Sequence, residues 1–225
     1  MPVEIQGQVG EVRATTGTKP TVRVGPYAEQ IVNDTGLGRY FEAARAGRIF
    51  ILSAAAAGVA PASANVSPLS AGTGQPFVGI LNPAGSAKAA VILKAGFTAT
   101  QVVTTQTASM LVWNFIPTPT AITAAGGAGA VGATLGSTVS SSVMRTFVNT
   151  ALTGSVAATL LRPLAANAQV STNPAVAQAV AAHAYEETAG AIIVPPGTFL
   201  GIAAHAASAT LYACWMAWAE IDWPL

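Results

Sequence analysis

The sequence predicts an all-β protein, because short apolar runs alternate with turns rich in glycine and proline. The clearest case is the C-terminal stretch, where residues 191–194 and 198–203 are apolar and a Pro-Pro-Gly turn separates them. A second turn is predicted near 206–209, and residues 210–221 then form a long strand. A chain of 225 residues is long enough to bury the core of one sizeable β domain.

The strand predicted at 210–221 is apolar on both of its faces, whose side chains alternate along the chain. One face carries Leu211, Ala213, Trp215, Ala217 and Ala219, and the other carries Tyr212, Cys214, Met216 and Trp218. Such a strand must be covered on both sides, so we expect one face in the core and the other in a subunit interface. The pattern does not say which face has which role. The candidate residues for the core and the interface are Trp215, Trp218, Tyr212, Met216 and, in the run 109–116, Trp113.

Low charge is the most unusual property of the composition. Charged residues make up 8% of the chain, against roughly 25% in an average soluble domain. Residues 95–144 contain no charged side chain. Because a solvated surface normally carries charge, we expect this part of the chain to contribute contacts between subunits.

The same composition argues against three other classes of protein. No run of about 18 apolar residues lacks proline, glycine, histidine and charge, so no membrane-spanning helix is predicted. The formal net charge is +1, with acidic and basic residues interspersed, which gives no basic surface for nucleic acid. The first residues lack the basic and apolar segments of a secretory signal, so we expect synthesis in a cytoplasm without export.

Charge is concentrated in the first fifth of the chain, which we interpret as an N-terminal arm. Residues 1–48 contain six basic and five acidic residues, 11 of the 19 charges, and residues 49–225 are predicted to form the folded domain. The arm either crosses a neighbouring molecule or forms an exposed hairpin. Residues 39–46 form either a short helix capped by Gly47 or a loop. The side chains expected to contact a partner are Arg13, Arg23, Tyr27 and Arg39.

Further apolar runs between the arm and the C-terminal stretch also predict strands. They cover residues 48–52, 76–81, 89–93, 97–103 and 109–116, with more short strands expected in 144–161. The sequence Asn-Pro-Ala-Gly-Ser at 82–86 predicts a tight turn, because Asn and Pro begin turns and glycine accepts a positive φ. The alanine-rich segment 174–189 is interpreted as either a short helix or a loop.

A nucleotide-binding or nucleophilic function is not favoured by the motifs. Residues 127–132 match the G-x-G-x-x-G spelling of a dinucleotide-binding turn. However, no Val- and Ile-rich strand precedes them, and no acidic residue follows at the required distance. The single cysteine, Cys214, lies in an apolar strand and is expected to be buried as a small apolar residue. We therefore predict no nucleotide cofactor and no reactive thiol.

Two groups of polar residues are candidates for a metal or acid–base site. His183, Glu186 and Glu187 lack the spacing of a metal site, and we expect them in a partly exposed polar turn. Glu220 and Asp222 lie two residues apart and are expected to be solvated at the end of a strand. The sequence therefore predicts a non-enzymatic protein without cofactor or metal.

Several motifs, taken in order along the chain, resemble those of tailed-bacteriophage virion structural proteins. They are residues 38–42, 48–50, 79–88, 190–197 and 218–221. The family contains small jelly-roll proteins, often trimeric, that cement or decorate capsids or sit in head fibres and tail attachments. The resemblance implies a jelly-roll-like β-sandwich of about eight strands. Together with the arm inferred from the charge distribution, this gives an expected all-β fold with an extended N-terminal arm and little helix.

The resemblance also implies a function and partners. It implies a capsid cement or decoration protein, a homotrimer that contacts the major capsid protein or other virion proteins. The expected location is the virion, after assembly in the host bacterial cytoplasm, and the four arm residues named above are the expected capsid contacts. The alternatives are a phage fibre or tail-attachment protein and a carbohydrate-binding or hydrolytic β-sandwich, which requires a cleft with aromatic platforms and paired acids.

Overall fold

The protein is an all-β sandwich, as the sequence predicts. A computed structural model describes residues 40, 43–44, 47–54, 57–70, 73–101, 109–117, 131–132, 142–152, 158–167, 183–207 and 210–223. Almost all of these residues belong to the unit Glu42–Leu225. The predicted arm therefore lies almost entirely outside the described residues.

The described residues form ten strands and one short 3-10 helix, Ser63–Asn65. The strands are β1 (Ile49–Ser53), β2 (Val78–Asn82), β3 (Lys88–Gln101), β4 (Ser109–Ile116), β5 (Val131–Gly132), β6 (Arg145–Val148), β7 (Thr159–Asn167), β8 (His183–Val194), β9 (Thr198–Ala204) and β10 (Leu211–Asp222). The first sheet has the order β5-β1-β10-β3-β8 and the second sheet has the order β6-β2-β9-β4-β7. Each named strand pair is antiparallel, which agrees with the short turns that the sequence predicts.

The main core fills the space between the two sheets. Along β10, Tyr212, Cys214, Met216 and Trp218 are buried, whereas the residues between them are partly exposed. The ring of Tyr212 meets Phe97 edge-on at a centroid distance of 5.7 Å and Phe77 at 6.2 Å. The structure therefore assigns the even-numbered face of β10 to the core, a choice that alternation alone leaves open.

The outward side of the second sheet is covered by the chain itself. Eight buried apolar residues form a second cluster there: Leu69, Leu81, Ile116, Phe147, Leu152, Ala158, Phe199 and Ala203. Backbone hydrogen bonds hold the covering segments in place, because the Leu152 N–H donates to Gly74 O at 2.8 Å and the Ala158 N–H donates to Leu69 O at 2.9 Å. This side of the sandwich is therefore closed by its own loops.

Two of the motifs that resemble virion proteins meet at Asn82, which is fully buried. The Asn82 Nδ2 donates to Lys88 O at 2.7 Å and to Val194 O at 2.9 Å, and its Oδ1 accepts from Ser86 Oγ at 2.5 Å. The Gly197 N–H donates to Asn82 O at 2.8 Å. One side chain thus joins the turn after β2 to the turn after β8, and neither turn alone predicts this contact.

Two of the predicted elements differ from the structure. The runs at 89–93 and 97–103 belong to one strand, β3, whose register with β10 shifts between Ala217 and Trp218. The segment 183–189 is part of β8 and is neither helix nor loop. Its alanines satisfy a helical pattern, but pairing with the long edge of β3 favours the extended conformation. Residues 174–182 lie outside the described residues.

The predicted helix at 39–46 is described only in part. Ala43 and Ala44 are helical, and Gly47 has a φ of +66°. The Gly47 N–H donates to Ala44 O and the Arg48 N–H donates to Ala43 O, both at 2.9 Å. These two bonds form a Schellman motif, so Gly47 caps a helical turn as its sequence position indicates.

Candidate interaction face

The outward side of the first sheet places twelve residues from four strands, most of them apolar, in three rows. The rows are Ile193, Val91, Ala219 and Ile49; then Glu187, Lys94, Ala217 and Ile51; then Tyr185, Gly96, Trp215 and Ser53. We call these twelve residues the outer face. Because cross-strand neighbours in a sheet contact one another directly, the outer face is one continuous surface.

Trp215 occupies the centre of the third row, where Gly96 makes room for it. A Cβ atom on Gly96 would lie 3.0 Å from Trp215 Nε1, 3.0 Å from Tyr185 Cβ and 2.8 Å from Ala184 O. The indole therefore lies across the backbone of β3, towards β8. A side chain at position 96 would displace the indole, so the glycine fixes where Trp215 lies.

Large apolar side chains on the outer face are exposed to solvent. Tyr185 is 63% exposed, Ile193 is 47% exposed and Ile51 is 38% exposed. The charges on this face form one opposite pair, with Lys94 Nζ 3.9 Å from Glu187 Oε2. This partly solvated pair contributes at most about 1 kcal/mol to stability. The two charges are opposite, so this pair adds no net charge to the outer face.

The outer face differs from the corresponding side of the second sheet. The second sheet has its cluster of eight buried residues under the chain's own loops. Among the described residues, no such buried cluster lies over the outer face. Exposed apolar surface of this kind is typical of a binding site for another molecule.

A second exposed apolar patch lies on β7, which is the edge strand of the second sheet. Leu160 and Leu161 are each 43% exposed. The register of β7 with β4 shifts between Trp113 and Asn114, so Leu161 is the extra residue of a β-bulge. Pro163, two residues further along, has no N–H to donate, which disfavours pairing with another strand. We call Leu160 and Leu161 the β7 edge.

Glu186 links the two sheets on the side where β7 and β8 lie. It accepts a hydrogen bond from Trp113 Nε1 at 3.2 Å and forms an ion pair with Arg162 of β7. The sequence predicted a partly exposed polar turn for His183, Glu186 and Glu187, and this prediction is wrong because all three lie in β8. Strand alternation sends Glu186 between the sheets and Glu187 to the outer face.

Glu220 corrects a second prediction, because it is 6% exposed and not solvated. Its carboxylate accepts hydrogen bonds from Ser142 Oγ at 2.5 Å, from the Val143 N–H at 3.3 Å and from Trp218 Nε1 at 3.4 Å. Each donor satisfies a carboxylate oxygen that burial would otherwise leave without water. The hydrogen bonds from Ser142 and Val143 to Glu220 therefore connect β10 to the segment that leads into β6.

Asp222 is solvated, as predicted, with 91% of its side chain exposed. The hydrogen bond from Lys88 Nζ, at 2.5 Å, lowers the pKa of the Asp222 carboxyl, and the positive charge of Lys88 adds to the effect. The two carboxylates at the end of β10 therefore have separate environments. This separation argues against an acid–base pair at this position.

Cys214 is buried in the core, as predicted. Burial raises the pKa of its thiol, so the thiol stays protonated at neutral pH. No group of three or more His, Cys, Asp or Glu side chains that would hold a metal ion occurs in the described part of the chain.

The five candidates named from the sequence for the core or an interface divide between two locations. Trp113, Tyr212, Met216 and Trp218 are fully buried in the core, and Trp215 lies on the outer face. Sequence reasoning missed Tyr185 and Ile193, because the alanine-rich segment before them hides the alternation of β8. The arm candidates Arg13, Arg23, Tyr27 and Arg39, and the glycine motif at 127–130, lie outside the described residues.

No family model, curated protein or solved structure matches the chain. Within the residues that the structure describes, no helix is both long enough and apolar enough to cross a membrane. The function must therefore be inferred from the strand order and from the two exposed apolar patches.

Proposed function

We propose that the protein is a non-enzymatic virion structural protein that cements or decorates a phage capsid as a homotrimer in contact with the major capsid protein. The observation that carries this proposal is the exposed apolar outer face on a chain with 8% charged residues. An apolar surface with few charges is stabilised when another protein covers it and removes it from water. The motif resemblance to virion proteins supplies the kind of partner.

The strand order supports the jelly-roll architecture that the resemblance implies. A double-sheet jelly roll contains eight strands arranged as two Greek keys. When the short strands β5 and β6 are set aside, the eight others form the sets β1-β10-β3-β8 and β2-β9-β4-β7. The chain passes alternately between the sheets from β1 to β4, and again from β7 to β10. This order supports our proposal that the domain is a jelly roll.

The mechanism of such a protein is the burial of surface. Each copy would cover apolar area on its neighbours, and the many symmetric copies on a shell would hold it together even if single contacts are weak. The inter-sheet links through Glu186 and Glu220 keep the domain rigid, so that little conformational entropy is lost on assembly.

The proposal is tested on purified particles from the phage whose genome encodes this chain. Mass spectrometry should find the protein in many copies, and cryo-EM should place threefold β-sandwich density on the head. Density confined to the tail would favour the fibre or tail-attachment alternative. Absence of the protein from the particles would overturn the proposal.

One observation favours a second candidate, a carbohydrate-binding β-sandwich. Trp215 and Tyr185 flank Gly96 on the outer face, and exposed aromatic rings are the usual platforms for sugar rings. Sugar binding would change the fluorescence of Trp215 and would be lost in a Trp215→Ala variant. A glycan array without any hit would exclude this candidate.

A further inference from the structure

We infer that the side of the sandwich formed by β7 and β8 resists the addition of a strand, so that neither a second copy nor another protein extends the sheets there. In the described part of the chain, β7 is the last strand of the second sheet and β8 is the last strand of the first sheet. The last strand of a sheet presents backbone N–H and C=O groups that can pair with a strand of another chain. Both strands are long enough for such pairing, with 9 residues in β7 and 12 in β8.

The first argument is that two bulges interrupt β7. Leu161 and Leu164 are the extra residues at the two places where the register with β4 shifts. They divide the 9 residues of β7 into paired runs of two, two and three residues, which are 159–160, 162–163 and 165–167. A bulge bends its strand and increases the local twist. A regular partner strand therefore cannot follow β7 for more than a few residues.

The second argument is that the middle run of β7 lacks a donor. Pro163 has no N–H, so β7 cannot donate to an added strand at this position. Arg162 beside it forms an ion pair with Glu186 of the other sheet, and 44% of the Arg162 side chain is exposed. An added strand would take this guanidinium out of water and would leave one of its own carbonyls without a donor.

The third argument is that β8 is also interrupted. Four residues of β8, 188–191, lie opposite a single residue of β3. Ala189 and Gly190 in this excursion have φ values of +51° and +88°, whereas an extended strand has negative φ. The excursion is fixed to β3, because Thr188 is buried and its hydroxyl donates to Ile92 O.

The interruptions of the two strands lie close together. Leu161 directly precedes Arg162, Thr188 follows Glu186 by two residues, and Arg162 and Glu186 form an ion pair. A strand added to either edge would therefore meet an irregularity near its middle. Charged residues make up only 8% of the chain, so few charges are available to protect the edges in the usual way. Association on this side must use side-chain contacts and not the extension of a sheet.

The test restores a regular edge in β7 of the full chain. The straightened variant lacks Leu161 and carries Pro163→Val, and because Leu161 has no partner in β4, its removal takes away none of the strand pairs. The control Leu161→Ala keeps the bulge and the proline and shortens the same side chain. Size-exclusion chromatography with light scattering measures the mass over a range of concentrations, and hydrogen exchange with mass spectrometry measures the protection of the β7 amides. Circular dichroism checks folding.

The straightened variant should reach a higher mass than the wild type as its concentration rises. Exchange of its β7 amides should slow at least about 10-fold over the same range, which corresponds to roughly one net hydrogen bond between chains. In the wild type and in the control, exchange of the β7 amides should not depend on concentration. A second variant, which lacks residues 189–191 of β8, should also reach a higher mass than the wild type, and it replaces the first if the first does not fold.

Three outcomes overturn the inference. The first is a folded straightened variant with the mass and the β7 exchange of the wild type at every concentration. The second is a Leu161→Ala control that associates as strongly as the straightened variant, because that control keeps the bulge. The third is wild-type β7 exchange that slows with concentration, and this result decides the question even if neither deletion variant folds. The inference does not rest on the proposed function, which the presence or absence of the protein in particles tests separately.

Discussion

The two tryptophans of β10 that lie three residues apart, Trp215 and Trp218, should respond very differently to substitution. Trp218 is 0% exposed, its ring lies 5.9 Å from that of Phe50, and its Nε1 donates to Glu220. Removal of a buried tryptophan side chain costs about 3–5 kcal/mol. Loss of one donor to the buried carboxylate adds about 1 kcal/mol. The Trp218→Ala change should therefore lower the free energy of unfolding by about 4–6 kcal/mol, against a typical total of about 5–15 kcal/mol.

The matched change Trp215→Ala should cost about 1–2 kcal/mol, because the side chain is already partly exposed and no core cavity results. Urea unfolding followed by circular dichroism measures both values, with an unchanged denaturant slope as the check on two-state behaviour. Glutamate at each position sharpens the contrast: Trp218→Glu should abolish folding, whereas Trp215→Glu should give a folded chain that no longer associates. Equal losses for the two alanine variants would refute the assignment of the two faces.

Three further predictions concern buried polar and thiol groups. Glu220→Gln places amide donors against the Val143 N–H and should destabilise the protein by about 1–3 kcal/mol in thermal unfolding. Asn82→Ala leaves the buried Val194 carbonyl without its side-chain donor and removes one of two side-chain donors to Lys88 O, so it should cost about 2–4 kcal/mol, whereas Ser86→Ala should cost only about 1 kcal/mol. Cys214 should react with a thiol reagent at least about 100-fold faster in denaturant than in the native protein, and rapid labelling of the folded chain would contradict its burial.

The strands at the C-terminus were predicted well, because each lies between strong local signals. The runs predicted at 198–203 and 210–221 are observed as β9, Thr198–Ala204, and β10, Leu211–Asp222. The Pro-Pro-Gly turn between β8 and β9 cannot continue a strand, and Gly197 adopts a φ of +77° there. Boundaries of this kind depend on a few neighbouring residues, so the sequence reveals them.

The prediction of a helix or loop before Gly190 is wrong for residues 183–189, which belong to β8, and the reason is physical. Alanine has a high helix propensity, and a run of alanines after Asn173 and Pro174 has the local pattern of a helix start. Residues 183–187 are nevertheless extended, because they pair with the edge of β3, and Ala189, which has a φ of +51°, lies where this pairing is interrupted. Propensity differences of a few tenths of a kcal/mol per residue are smaller than the gain from sheet pairing and burial.

The candidate site could be predicted only in part. The sequence identified Trp215 as a candidate because both faces of its strand are apolar, but it could not separate Trp215 from Trp218. It expected Glu220 to be solvated, since a carboxylate at a strand end usually is. Ser142 Oγ and the Val143 N–H donate hydrogen bonds that allow the Glu220 carboxylate to be buried, and both are more than 70 residues away in the chain.

The sequence by itself determined the all-β class, the low charge of the surface and the positions of the C-terminal strands and turns. These properties follow from composition, from two-residue alternation and from the local stereochemistry of proline and glycine. Only the tertiary structure decided which face of β10 is the core. That choice depends on which sheet lies opposite β10 and on which loops cover the second sheet, and both are set by contacts between residues far apart in the chain. The partly exposed position of Trp215 beside Tyr185 is a result of that packing.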